Sequence, residues 1–236
     1  MRSTESSLGE LVRVALDEAI GAAEANPGRS VVVLDAGCGH ASPLRPFRAR
    51  IGRFVGADVH PPADPIAGLD EFVTADLCGS SAPFVAETFD VILMNFVLEH
   101  LDDPAVALGH IRRALRPGGR LVATTVNRRH PFVFAYLSLP VALRGRVQGW
   151  IKSTPEDSHR LVGRCNEPAT IRRTLEAAGF IDTRLETVNH LSRAWGRRRL
   201  TRLIGRIGDG LVTGSPGRRS TIVAIGSAPA ATGQRA

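Results

Sequence analysis

Apolar residues along the chain fall into two rhythms. Residues 5–25 place Leu8, Leu11, Val12, Ala15, Ala19, Ile20 and Ala23 on one helical face, and Asn26-Pro27-Gly28 then stops the helix. After it, short apolar runs alternate with helical patterns. The runs VVVLDA (31–36), RFVGAD (53–58), EFVTAD (71–76), DVILMN (90–95) and GRLVATTV (119–126) predict strands, and DTRLETV (182–188) and STIVAIG (220–226) alternate like a closing pair. Between them, DDPAVALGHIRRALRPGG and PATIRRTLEAAGF read as helices ended by glycine. Unbroken apolar strands suit a parallel sheet whose two faces are both covered by helices.

Two stretches break this rhythm, 127–167 and 190–219. Segments of that length inside a compact domain carry function or structure of their own. The predicted organisation is an N-terminal helix (1–28), one α/β domain (29–226) with those two insertions, and a small, polar tail (227–236) expected to be disordered.

Composition narrows the class. With 236 residues, 43% hydrophobic and 22% charged, the chain suits one soluble globular domain. No apolar run approaches the roughly 20 residues needed to cross a bilayer. Acids interrupt the apolar positions of the N-terminus, unlike a secretory leader, so a cytoplasmic protein is expected. Cys38, Cys78 and Cys165 include no CxxC pair, which argues against a disulfide framework and against a metal site. A net charge of +7 points toward nucleic acid, but Lys152 is the only lysine among 30 basic residues and the excess concentrates late, in RAWGRRRLTRLIGR. Aromatic residues make up 5% of the chain, leaving few platforms for stacked bases.

The candidate chemistry begins at VVVLDAGCGHASPL (31–44). Gly37 and Gly39 sit where a strand turns toward a helix, so the backbone can approach a ligand closely. A dinucleotide fingerprint requires a third glycine where Ser42 stands. Asp35 precedes the turn, and a carboxylate there repels phosphate but suits an amino group; as an alternative it caps the next helix. Asp58 ends the second predicted strand, where a carboxylate takes both ribose hydroxyls, and Asp76 ends the third, within reach of an adenine amino group. Asn95 ends the fourth. Three acids and no lysine at this edge describe a nucleoside without phosphates.

The motifs LDAGCG, GADV, TADL, FDVILMNFVLEHLDDP and LRPGGRLVATT, in this order and spacing, resemble the class I S-adenosylmethionine-dependent methyltransferases, most closely the small-molecule, methyltransferase-11-like branch. The resemblance is strong over residues 30–126 and looser over 165–226. It implies a Rossmann-like seven-stranded sheet, mostly parallel with an antiparallel last strand. It also implies S-adenosyl-L-methionine as cofactor, with Asp35 near the methionyl amino group and Ala36, Gly37, Cys38 and Gly39 wrapping the methionyl and ribose parts. Asp58 with Val59 would then bind the ribose, Asp76 with Leu77 would flank the adenine, and Asn95 and Phe96 complete the set. Ala41 stands where a third glycine is common in the family, which tightens the turn.

Within that resemblance His100, just past the fourth strand, is the candidate general base. His130, Tyr136, Trp150 and His159 in the first insertion are candidate substrate contacts, and His40 and His60 rim the cofactor site. The segment NFVL (95–98) lacks the N/D-P-P-Y/F pattern of enzymes that methylate exocyclic amines, and none of the three cysteines stands near the fourth or fifth strand. A small-molecule acceptor is therefore favoured over RNA or protein, and a non-catalytic cofactor-binding module is the third reading. The insertions are expected to meet over the cofactor as a substrate lid. The second would contribute a helix with Leu200, Leu203, Ile204, Ile207 and Leu211 on one face and Arg198, Arg199, Arg202 and Arg206 around the other. Those arginines suit an anionic substrate or, as a secondary possibility, peripheral contact with a membrane.

Overall fold

A computed structural model describes residues 7–26, 28–39, 42–140, 143–147, 161–195 and 198–231. Helix α1 (Leu8–Glu24) starts where the Ser7 hydroxyl accepts from Glu10 N–H at 3.2 Å, and buries Leu8, Val12, Ala15, Leu16, Ala19 and Ile20. Strands β1 (Val32–Ala36), β2 (Arg53–Asp58), β3 (Glu71–Thr74), β4 (Phe89–Asn95), β5 (Leu115–Val126), β6 (Ile181–Val188) and β7 (Thr221–Ser227) form one sheet. Its order is β3-β2-β1-β4-β5-β7-β6. β1 to β5 pair in parallel, while β7 runs antiparallel to both β5 and β6. This is the expected seven-stranded architecture.

Alternation along each strand divides the core between two layers. Val33, Val91, Leu93, Val122, Val223 and Ile225 face α1 and the short 3-10 turn Arg45–Arg50, through Phe47 and the flanking Leu44 and Ile51. Leu34, Ile92, Met94, Leu121, Ala123, Ile222 and Ala224 face α2 (Pro104–Ala114) and α4 (Pro168–Ala177), through Leu108, Ile111, Ile171 and Leu175. Asp103 caps α2 by accepting from Ala105 and Val106 N–H, both at 3.1 Å, with Pro104 at the first helical position. The second insertion supplies α5 (Leu191–Ala194) and α6 (Arg199–Leu211), and the first supplies α3 (Pro131–Leu137).

Three boundaries differ from the sequence reading. β3 ends at Thr74, so Asp76 stands two residues past the strand rather than at its end. α2 stops at Ala114 and the LRPGG segment already belongs to β5, because Leu115 pairs with Phe89 ahead of a register shift. The start of the tail is ordered: Ala228 is buried, donates to Gly119 C=O at 2.8 Å and accepts from Gly118 N–H at 3.2 Å.

At the amino-terminal edge of the sheet, Asp90 is 3% exposed and ties three segments together. It accepts from Arg29 at 2.7 Å, from Val32 N–H at 2.9 Å and from Arg116 at 2.5 Å. The opposite, carboxyl edge is left open for chemistry.

Candidate active site

Strand order reverses between β1 and β4, and in open α/β sheets the crevice beyond such a switch point takes the ligand. The glycine turn lies there. Gly37 and Cys38 both donate to Ala57 C=O, at 2.7 and 3.1 Å, so the turn is pulled onto the end of β2. Gly37 has φ +80°, and a Cβ at that position would run into the Val97 side chain. Asp58 accepts from Gly39 N–H at 3.1 Å and His60 N–H at 3.2 Å, which holds its carboxylate beside the turn.

Asp35 is 1% exposed, and neither of its carboxylate oxygens has a hydrogen-bond partner among the described residues. Burial pushes its carboxyl up to about 7; the nearby Ser42 hydroxyl opposes the rise, without reaching hydrogen-bonding geometry, and the Asp58 charge adds to it. A buried acid with unsatisfied oxygens is costly unless something supplies donors. An ammonium group arriving at the turn supplies both donors and charge, so the residues present fit the amino end of a methionine-like ligand. Cys38 is buried and its thiol is pushed up to about 12, chiefly by burial and then by Asp35 and Asp58, so it is no nucleophile.

These residues open into a cavity of about 1240 Å³. Asp35, Gly37, Cys38, Gly39, Asp58, Val59, Asp76, Leu77, Asn95 and Phe96 all line it, as do His60 and His100. Ala36 does not: it is buried in the core layer under α2 and α4, and only its neighbours face the ligand side. Asp76 accepts from Cys78 N–H at 2.8 Å, which orients the loop past β3, while Leu77 is 7% exposed. Asn95 accepts from the Thr124 hydroxyl at 2.8 Å. Phe96 takes φ +58°, a left-handed conformation held by its N–H on Thr124 at 2.9 Å to the hydroxyl and 3.2 Å to the carbonyl. Strained non-glycine backbone of this kind gathers at ligand sites.

The far half of the cavity is apolar and comes from the two insertions. Val133, Tyr136 and Leu137 of α3, with Leu161 and Val162, form one wall, and His190, Leu191, Ala194 and Trp195 form another. Glu99 anchors the first wall: its backbone carbonyl accepts from Val162 at 2.8 Å and Gly163 at 3.0 Å, and its carboxylate accepts from Thr125 at 2.8 Å. The second wall carries the residues that sequence reasoning missed. His190 is stacked on Phe96 at 6.4 Å with 28° between the planes, and Phe132 stacks on Trp195 at 6.4 Å. The NHLSRAW segment held the signal, since Trp195 is one of two tryptophans in the chain, but its short helix was hidden beside the louder stripe that follows it.

Other candidate contacts fall differently. His130 does not line the cavity. It is fully buried, caps α3 by accepting from Phe132 N–H at 3.2 Å, and packs against Gly208. Burial lowers its pKa, so it is a neutral structural residue. Trp150, His159 and His40 lie outside the described residues. The apolar stripe of α6 also departs from expectation: no α6 residue lines the cavity, and Leu200, Leu203, Ile207 and Leu211 are 51–66% exposed. The helix is held instead through Thr201, Gly205, Gly208 and Asp209, because only small residues allow so close an approach to α5.

Comparison with known proteins places the chain in a family. The family model described as a methyltransferase domain matches residues 9–185. A ubiquinone biosynthesis O-methyltransferase from Cereibacter sphaeroides is 33% identical over 148 residues, covering 58% of this chain and 60% of the relative. One of the same name from Mesorhizobium japonicum is 31% identical over 182 residues, covering 73% of this chain and 70% of the relative. Among solved structures, a methyltransferase bound to the Haloferax volcanii Trm112 methyltransferase activator superimposes with a TM-score of 0.59 at 20% identity, over 93% of this chain and 90% of that one, and agrees on the fold. The family match and the site built around Asp35, Asp58 and the glycine turn lead to one conclusion: the chain belongs to the class I S-adenosylmethionine-dependent methyltransferases.

Proposed function

We propose that the protein transfers a methyl group from S-adenosylmethionine to a hydroxyl of an apolar, ring-containing small molecule held between α3 and α5. The observation that carries this reading is the two-part cavity. Acids and a glycine turn line one end, and Val133, Leu137, Leu161, Leu191, Ala194 and Trp195 line the other. A volume of about 1240 Å³ exceeds the upper range of roughly 1,000 Å³ usual for a single drug-sized ligand, leaving room for an acceptor beside a nucleoside. The relatives named as ubiquinone biosynthesis O-methyltransferases support an oxygen acceptor.

When bound, the sulfonium supplies an electrophilic methyl group. The work left to this chain is positioning and proton handling. Asp35 would pair with the methionyl amino group and Asp58 with the ribose hydroxyls, while Asp76 and Leu77 border the base. The aromatic pair Phe96–His190 would flatten the acceptor toward the methyl carbon, and the apolar walls would exclude water. His100 lines the cavity just past β4 and is the proposed base for the acceptor hydroxyl. Tyr136 adds a hydroxyl to the same chamber, its pKa raised by burial. A small-molecule acceptor and a cytoplasmic setting are both part of this proposal.

The test is transfer of radiolabelled methyl from S-adenosylmethionine to a panel of catechols with apolar tails, fatty acids, and polar amines. Label should appear on the catechol oxygen. Label confined to amines or to RNA would overturn the proposal.

A further inference from the structure

The face by which α6 is held is its small and polar one. A Cβ at Gly205 would stand 2.7 Å from Ser192 Cα, and one at Gly208 would stand 2.9 Å from the Phe132 ring. Asp209, 9% exposed, accepts from Leu191 N–H at 3.2 Å and Ser192 N–H at 2.9 Å, locking α6 to α5. Thr201 adds a hydrogen bond to Trp195 C=O at 2.6 Å. These contacts fix the helix rotation, so the aliphatic stripe must face outward.

That outward surface has a defined chemistry. Leu200 (55% exposed), Leu203 (54%), Ile207 (51%) and Leu211 (66%) recur at helical spacing on one side. Arg198, Arg199, Arg202 and Arg206 are exposed beside them, and the only acid of the helix, Asp209, is buried underneath. An exposed run of large aliphatic side chains costs free energy in water and marks a contact surface.

We infer that α6 seats this stripe in the interfacial layer of an anionic lipid bilayer. The helix lies in the plane of the surface, with the four aliphatic side chains at the acyl boundary and the arginines on lipid phosphates. A second copy of the chain fits less well, because a two-fold contact through the same stripe brings the two arginine rows together. α5 separates the bilayer face from the cavity: Leu191, Ala194 and Trp195 line the chamber while Ser192 backs onto Gly205. The bilayer contact therefore sits one short helix away from the proposed acceptor chamber. It stands or falls independently of what the acceptor is.

Flotation of the full chain with phosphatidylcholine vesicles, with and without phosphatidylglycerol, tests the inference. The chain should float with the anionic vesicles and be left behind by the neutral ones. Leu203→Glu/Ile207→Glu should reduce partitioning at least about tenfold, with its melting temperature and its affinity for S-adenosylhomocysteine unchanged because both positions are exposed. Arg199→Gln/Arg206→Gln should reduce anionic partitioning by roughly tenfold or more. Failure to float with anionic vesicles, or undiminished flotation of the Leu203→Glu/Ile207→Glu variant, overturns the inference. A lipid-free dimer that this variant dissolves, or capture of the stripe by an acidic protein in place of lipid, overturns it equally.

Discussion

Phe96 and His190 stack at 6.4 Å across the cavity, joining the strained end of β4 to the segment that follows β6. Burial, followed by the charge of Arg193, lowers the pKa of His190, so the ring facing Phe96 is neutral near pH 7. An aromatic pair of this kind is worth roughly 1 kcal/mol. His190→Ala should raise the acceptor KM about fivefold and leave S-adenosylhomocysteine affinity unchanged, and His190→Phe should restore the acceptor KM. Steady-state kinetics with separate titration of the two ligands checks this. Loss of affinity for S-adenosylhomocysteine instead would assign the pair to the cofactor wall.

Asp35 sets a pH dependence whose sign is determined by its raised pKa. Its carboxyl moves from 3.8 to about 7 on folding, so the folded state holds the proton more tightly than the unfolded chain. The stability this contributes is complete below about 4 and is lost as the pH rises through 7. Asp35→Asn, which stays neutral, should gain melting temperature relative to the natural chain between pH 5 and 8 in the absence of ligand. The same variant should lose affinity for S-adenosylmethionine. Calorimetry at pH 6 in buffers of differing ionisation enthalpy should show a proton released by the natural chain on binding, and none by the variant. Equal slopes of stability with pH for both proteins would refute the assignment.

Asp58→Ala should weaken S-adenosylhomocysteine binding by about 1–3 kcal/mol, since it leaves ribose hydroxyls and the Gly39 amide without their acceptor. Gly37→Ala should abolish binding altogether, because φ +80° and the Val97 side chain both oppose a Cβ. NAD should bind neither the natural chain nor the variants. Isothermal titration measures all three.

His100, which lines the cavity just past β4, is the proposed base for the acceptor hydroxyl. His100→Ala should bind S-adenosylhomocysteine normally and turn over roughly 10²–10⁴-fold more slowly, with partial recovery at high pH as the acceptor ionises by itself. Unchanged turnover would transfer proton removal to solvent.

Asp90 lies far from the chemistry and carries only stability. Two arginines and the Val32 amide converge on its buried carboxylate, so Asp90→Ala strands them. A loss of about 1–3 kcal/mol is expected, read by urea unfolding, since both arginines keep access to water and the Val32 amide is the group left buried without its acceptor. Any effect on ligand affinity beyond that of partial unfolding would contradict a purely structural role.

How much of this was legible in the sequence depended on whether the signal was local. The strand runs, glycine stops and strand-end acids are local, and all seven strands formed where the apolar runs predicted them. Asp35, Gly37, Gly39 and Asp58 met in space because parallel strands with short turns bring their carboxyl ends to one edge. Strand periodicity did not register the end of β3, since an apolar pattern cannot tell the last paired residue from the loop that continues it.

The insertions were decided by tertiary structure alone. The sequence separates α6 into an aliphatic stripe and an arginine face, but helical periodicity says nothing about which face meets the protein. The expectation that this helix joins a lid over the cofactor failed because Gly205, Gly208 and Asp209 offered a third face with closer packing and a hydrogen-bonded carboxylate. His130 followed the same logic, moving from an expected substrate contact to a buried helix cap. His190 and Trp195 entered the cavity through contacts between residues far apart in the sequence, such as Phe96 on His190 and Phe132 on Trp195, which no local pattern records. Local patterning thus determined the sheet and the acidic, glycine-turned end of the site. Which surfaces of the inserted helices face the cavity, and which face outward, followed only from packing between residues distant in sequence.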